Sequence, residues 1–203
     1  MLQKFVEKSV FRFRVELRDI APPIWREVEV PGSYSFWDLH VAIQDAMGWL
    51  DYHLHAFQST ETDPNGECEI GIPMDDEFQG SRETMPSWEV PVRSHFIQSG
   101  DHIVYLYDFG DGWTHDVILD AVIPRKSPQR VTCTGGERAC PPEDCGGTWG
   151  YQTMLEALAD STHEQHEDMV RWSGDSFDPE HFEPSQVKFD DPKERWDRAF
   201  NRS

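Results

Sequence analysis

Residues 103–109 and 113–123 read as two strands with only Gly110, Asp111 and Gly112 between them. Strands joined so closely can pair only antiparallel, because a parallel pair needs a crossover of a dozen residues or more. A second pair stands near the start. Residues 11–17 alternate Phe11, Phe13, Val15 and Leu17 with Arg12, Arg14 and Glu16, the period of a half-buried strand. Ile20, Ala21, Pro22 and Pro23 break the run, and residues 24–30 place Ile24, Arg26, Val28 and Val30 on one face. A hairpin is the economical arrangement.

Between the two pairs lies a helix. Ser35 can accept from a free amide of the first turn, and Asp38 three residues on gives capping-box spacing. Phe36, Leu39, His40, Ile43 and Met47 share a face, and Gly48 supplies a left-handed C-cap. Residues 52–58 read as a further strand. Residues 61–91 form an acidic, loop-rich insert with at most one short strand, and residues 124–149 are irregular. Helices are predicted over 151–159, from a second capping box at Ser161 and Glu164 to Trp172, and after Asp178-Pro179. Residues 186–203 are a charged, loose tail beyond a single domain over 1–185.

The fold class is therefore α+β. A mixed, mostly antiparallel sheet with a β-grasp-like ββαβ start is followed by C-terminal helices.

Charge bounds the partners. Eighteen basic residues against 38 acidic ones give a net charge of −20. Nucleic-acid affinity comes largely from Lys and Arg displacing counterions, so this balance argues against broad nucleic-acid binding. A small basic face near Arg12, Arg14 and Arg18 is the exception. No stretch approaches the roughly 20 apolar residues that span a bilayer, and residues 1–10 carry no apolar leader core. The expectation is a cytoplasmic protein with reduced thiols and no membrane association. Aromatic content of 12%, with 8 Trp, fits a folded chain rather than a disordered one.

Three motifs carry a resemblance. They are SFWDLHVAIQDAMGW at 35–49 with HLHAF at 53–57, YDFGDGWTH at 107–115, and GERACPPEDCGG at 136–147 with Gly150 and Tyr151 after it. In this order and spacing the chain resembles the plasmid pRiA4b ORF-3-like family, whose members are also described as transposon passenger proteins. The resemblance implies a link to plasmid or mobile-element biology and brings no established catalytic residues.

Two clusters could bind metal. If Asp111-Gly112 makes a two-residue turn, Asp108 lies across from His115, whereas a turn at Gly110-Asp111 puts Asp108 opposite Trp113. His53 and His55 at i and i+2 would project from one strand face. His53, His55, Asp108 and His115 are thus candidate ligands for a zinc-type divalent ion; the alternative is interfacial histidines bonded to backbone or acids. Cys133, Cys140 and Cys145 are a second candidate set, although their gaps are wider than zinc knuckles use and buried thiols in a rigid loop are the competing reading. Asp111, Gly112, Trp113, Pro141, Asp144 and Gly146 complete the motifs. Two functions follow: a non-enzymatic binding or adaptor domain for a protein partner or small molecule, or a metal-dependent hydrolase whose ion would activate water.

Overall fold

A computed structural model describes residues 9–59, 68–74, 84–124, 130–174 and 177–201. Part of the 61–91 insert lies outside these residues. Eight strands form one sheet: β1 (Ser9–Leu17), β2 (Trp25–Pro31), β3 (His55–Ser59), β4 (Glu69–Gly71), β5 (Thr84–Pro86), β6 (His102–Tyr107), β7 (Trp113–Pro124) and β8 (Thr132–Glu137). Their order is β5-β4-β3-β6-β7-β1-β2-β8, antiparallel at every pairing except β4 with β5. The mostly antiparallel α+β class is as the sequence reads. The strand after the first helix, β3, pairs with β6 and β4, and β6 and β7 separate it from β1.

Period two sets the two faces. Phe11, Phe13, Val15 and Leu17 from β1, Val28 and Val30 from β2, Tyr105 and Tyr107 from β6, and Trp113, Val117 and Leu119 from β7 are buried on one face. Each such large side chain contributes roughly 1.5–3 kcal/mol by leaving water. Helix α1 (Phe36–Met47) covers this face. Its capping box forms as expected: Asp38 N–H donates to Ser35 Oγ at 3.2 Å and Ser35 N–H to Asp38 Oδ2 at 2.8 Å. Gly48 closes the helix at φ 92°.

The opposite face has its charges paired within itself. Arg12 meets Glu29 at 2.7 Å, Arg14 meets Glu16 at 2.6 Å, and Arg18 holds Asp116. The small basic face expected near these arginines is therefore neutralised.

Several local expectations change. Residues 132–137 form β8, pairing with β2 at the sheet edge. Half-exposed on both faces, the run Thr-Cys-Thr-Gly-Gly-Glu shows no apolar alternation. Helix α2 begins at Gly147 (Gly147–Ala159). The capping box at Ser161 does not form; Asp160 accepts from the Thr162 amide and hydroxyl instead, and α3 starts later (His166–Ser173).

Asp178-Pro179 makes only a turn, while Asp191-Pro192 does the capping. Asp191 Oδ1 accepts from Lys193 N at 2.8 Å and Glu194 N at 3.3 Å, starting α4 (Pro192–Phe200). The segment expected to be a loose tail thus contains a helix docked on α1. Trp37 Nε1 donates to Pro192 O at 3.0 Å, and Trp196 meets Trp37 edge-on at 5.1 Å.

Candidate functional site

The three motifs converge at one end of the sheet. Between α1 and β3, residues 49–54 cross beside the β6–β7 loop and the β8–α2 loop. Trp49 Nε1 donates to Pro141 O at 2.9 Å, and Leu50 N–H to Glu143 Oε1 at 2.8 Å. Tyr107 anchors the same point: its hydroxyl donates to Glu143 Oε1 at 2.9 Å and accepts from Tyr52 N–H at 3.1 Å.

The β6–β7 connection differs from both expected registers. Tyr107 pairs with Trp113 and Tyr105 with His115, leaving a five-residue loop from Asp108 to Gly112. Asp108 enters the left-handed region at φ 52°, and its Oδ1 accepts from Gly110 N–H at 2.9 Å and Asp111 N–H at 3.3 Å. Gly112, at φ 72°, donates back to Asp108 O at 2.6 Å. This carboxylate-capped loop replaces the two-residue turn, so Asp108 never faces His115.

Asp111 then ties the hairpin to the third motif. Its Oδ2 accepts from Gly146 N–H at 3.1 Å. Asp144 and Gly146 take left-handed φ of 57° and 89°, and Gly147 lies against the Asp111 carbonyl.

This meeting point collects His53, Asp108 and Asp144. His53 Nε2 lies 3.5 Å from Asp108 Oδ2, 3.2 Å from Asp144 Oδ1 and 4.0 Å from Glu143 Oε2. Asp108 is buried and Asp144 exposed. Of the four predicted His/Asp ligands the structure therefore brings together two, His53 and Asp108. Asp144, read only as a motif residue, joins them, and Glu143 was missed. Its signal was a carboxylate pair following two prolines, a loop rigid enough to aim both.

His55 and His115 belong to the core. Strand β3 starts at His55, so His53 precedes the strand and the i, i+2 rule does not link the two. The His55 ring stacks on His40 at 3.6 Å, and His40 bridges the Tyr105 hydroxyl at 2.8 Å and Asp51 at 2.9 Å. Burial, and secondarily His40, pushes His55 well below the ordinary imidazole range. His115 is fully buried with Nδ1 at 3.3 Å from Tyr105 O, and burial lowers its pKa to about 3.

A stability prediction follows from these two histidines. Both are depressed in the fold, so below about pH 6.5 the unfolded chain takes up protons that the fold refuses. Stability is full above that pH and falls as pH drops towards the folded values. His115 is expected to cost about 2 kcal/mol between pH 7.5 and pH 5, and His55 adds to the loss in the same direction. Urea unfolding at both pH values measures the loss, and His115→Phe should remove about one proton from the dependence. An unchanged dependence in that variant would refute the assignment.

The cysteines do not converge. Cys133, Cys140 and Cys145 are free, half-buried thiols. Cys133 Sγ donates to Gly135 O at 3.3 Å, and Cys140 and Cys145 pack against the core. Among the described residues, the group of His, Cys and acidic side chains close enough to share an ion is His53, Asp108 and Asp144. Burial raises all three thiols, with Cys145 pushed up to about 12. Such thiols stay protonated and act as small apolar groups.

Trp49 and Trp113 are buried anchors, whereas Trp149 is exposed. Beside the convergence point lies a groove of 430 Å³, shared by Asp108 and bordered by Leu54, Ala56, Leu106 and Phe109.

The mostly antiparallel sheet, the capped helix and the three convergent loops define an α+β domain with an acidic, histidine-bearing corner. Residues 9–186 match the family model described as plasmid pRiA4b ORF-3-like protein, and the chain belongs to that family. It is 35% identical over 201 residues to uncharacterized protein y4hQ of Sinorhizobium fredii (strain NBRC 101917 / NGR234), across 96% of this chain and 97% of that one. It is also similar to a solved structure, a protein of unknown function, MM3350, from Methanosarcina mazei Go1. That match has a TM-score of 0.80 and 41% identity, covering 89% of this chain and 98% of the other. Among the described residues no helix is long and apolar enough to cross a membrane.

Proposed function

We propose that this chain is a non-enzymatic binding domain of the cytoplasm, serving plasmid or mobile-element biology, with its ligand held in the groove beside Asp108. The groove carries the reading. At 430 Å³ it is of the size that takes a small molecule or one bulky side chain of a protein partner. Leu54, Ile72, Met74, Leu106 and Phe109 give it apolar walls, while Gln58, Glu69 and Thr84 offer polar contacts at one side. Phe109 and Leu54 are exposed there without a covering element among the described residues.

A hydrolase built on His53, His55, Asp108 and His115 is disfavoured by the same geometry. His55 and His115 are buried, and neither joins His53 and Asp108 in a shared cluster. The net charge of −20 and the paired arginines of the open face argue for a neutral or basic partner rather than nucleic acid.

Nile red, an uncharged apolar fluorophore, is a suitable probe because an anionic dye would be repelled. One equivalent is expected to bind, and Leu106→Glu should weaken it by about tenfold, since a carboxylate would be forced against an apolar ligand. Equal binding by wild type and variant would overturn the groove assignment.

A further inference from the structure

We propose that His53, Asp108 and Asp144, with Glu143 alongside, form a site for one divalent transition cation of the manganese or zinc class. The site is independent of the apolar groove, although Asp108 borders both.

The donors come from three separate segments, and each is aimed by its own support. Asp108 has Oδ1 committed to the Gly110 and Asp111 amides, which leaves Oδ2 turned towards His53. Glu143 has Oε1 held by Leu50 N–H and the Tyr107 hydroxyl, which also reaches Oε2 at 3.3 Å, and Oε2 lies 4.0 Å from His53 Nε2. Partners that fix the far atom of a ligand are what orient metal-binding side chains. Asp51, Asp108 and Asp144 all hold left-handed φ of 52° to 59° at this corner. Such conformations are sustained by surrounding structure and cluster where side chains must be aimed.

His53 supplies the second observation. Its Nε2 is shielded from solvent and makes no hydrogen bond among the described residues, although three carboxylates surround it. A simple ion pair would turn an N–H onto one oxygen. Here the nitrogen and the Asp108 and Asp144 oxygens lie within 4.8 Å of one another. Ligands about 2.0–2.2 Å from an ion are separated by about 3–4.4 Å, so the spacing suits a shared cation after small adjustment. The ion pairs of Asp108, Glu143 and Asp144 among the described residues are to His53 alone. A dipositive ion would relieve their mutual repulsion. One imidazole with carboxylates matches manganese or zinc better than the all-oxygen shell of calcium. Asp144 is exposed, which leaves the solvent side open for water.

The test uses the full untagged chain, stripped with chelator and titrated calorimetrically with ZnCl2 and with MnCl2. One equivalent of at least one ion should bind saturably. Losing a supporting partner of a ligand costs about 10–100-fold in affinity. Tyr107→Phe should therefore weaken binding by about tenfold, and His53→Ala and Asp144→Asn by at least that. Asp144 is exposed, so its variant tests the site without threatening the fold; circular dichroism checks His53→Ala. Asp120→Asn, exposed on β7 well away from the Asp108–Gly112 loop, should change nothing. The proposal is overturned by absent one-equivalent binding of both ions, by unchanged affinity in His53→Ala and Asp144→Asn, or by loss confined to Cys140→Ser. Leu106→Glu separates this site from the groove, because it should weaken Nile red and leave the cation bound.

Discussion

Arg195→Ala is expected to lower the unfolding free energy by about 3 kcal/mol. Arg195 lies between α4 and α1, with Asp45 at 2.6 Å, Asp190 at 2.9 Å and Asp51 at 3.4 Å. Its own side chain is 14% exposed, and those of Asp45 and Asp51 are 7% and 11% exposed. Removing the guanidinium leaves Asp45 desolvated without its counterion and Asp51 with His40 alone, and breaking a fully buried pair costs about 3–5 kcal/mol. The lower end applies because the edge of this cluster meets solvent at Asp190. Burial alone would raise Asp51, but His40 and Arg195 together outweigh it and hold the carboxyl below its usual range. Urea unfolding of the whole chain measures the loss. A change under about 1 kcal/mol would mean that α4 rests on the domain without bracing it.

Gly147→Ala is expected to cost a similar amount, about 3 kcal/mol, by a different route. Gly147 sits at φ +68°, and an added Cβ would stand 2.4 Å from the Asp111 carbonyl oxygen. The backbone conformation alone costs an L-residue about 1 kcal/mol or more, and forced separation of two packed segments adds about 1–3 kcal/mol. The two loops would have to part where Gly146 N–H meets Asp111. The same variant should therefore weaken both the fold and cation uptake at His53, Asp108 and Asp144. Wild-type stability in Gly147→Ala would show that the loops move apart without cost.

Much of the frame was legible because its signals are local. Alternation in β1, the capping box of α1 and the short β6–β7 connection each sit within a dozen residues. The loop register was not, because it depends on Asp108 adopting a left-handed backbone and using its own carboxylate as a cap. That choice moves Tyr105 opposite His115 and sends the histidine into the core. Helix α4 was missed for a different reason. It is nine residues long and highly charged, and its apolar side consists of Trp196 and Phe200, whose partner Trp37 lies far back in the chain. At the candidate site His53 and Asp108 could be named from sequence. Glu143 and Asp144 could not be ranked as ligands, since only the fold shows which of 38 acids meet an imidazole.

The docking of α4 also furnishes the molecule with an optical gauge. Trp196 touches Trp37 at 5.1 Å, Trp88 at 4.7 Å and Phe200 at 4.3 Å, so its indole reports on the join between the last helix and the rest. Undocking of α4 would wet these rings and redden their emission before the sheet opens. Fluorescence and far-ultraviolet dichroism, followed together through one denaturant series, would then separate release of the C-terminal helix from global unfolding.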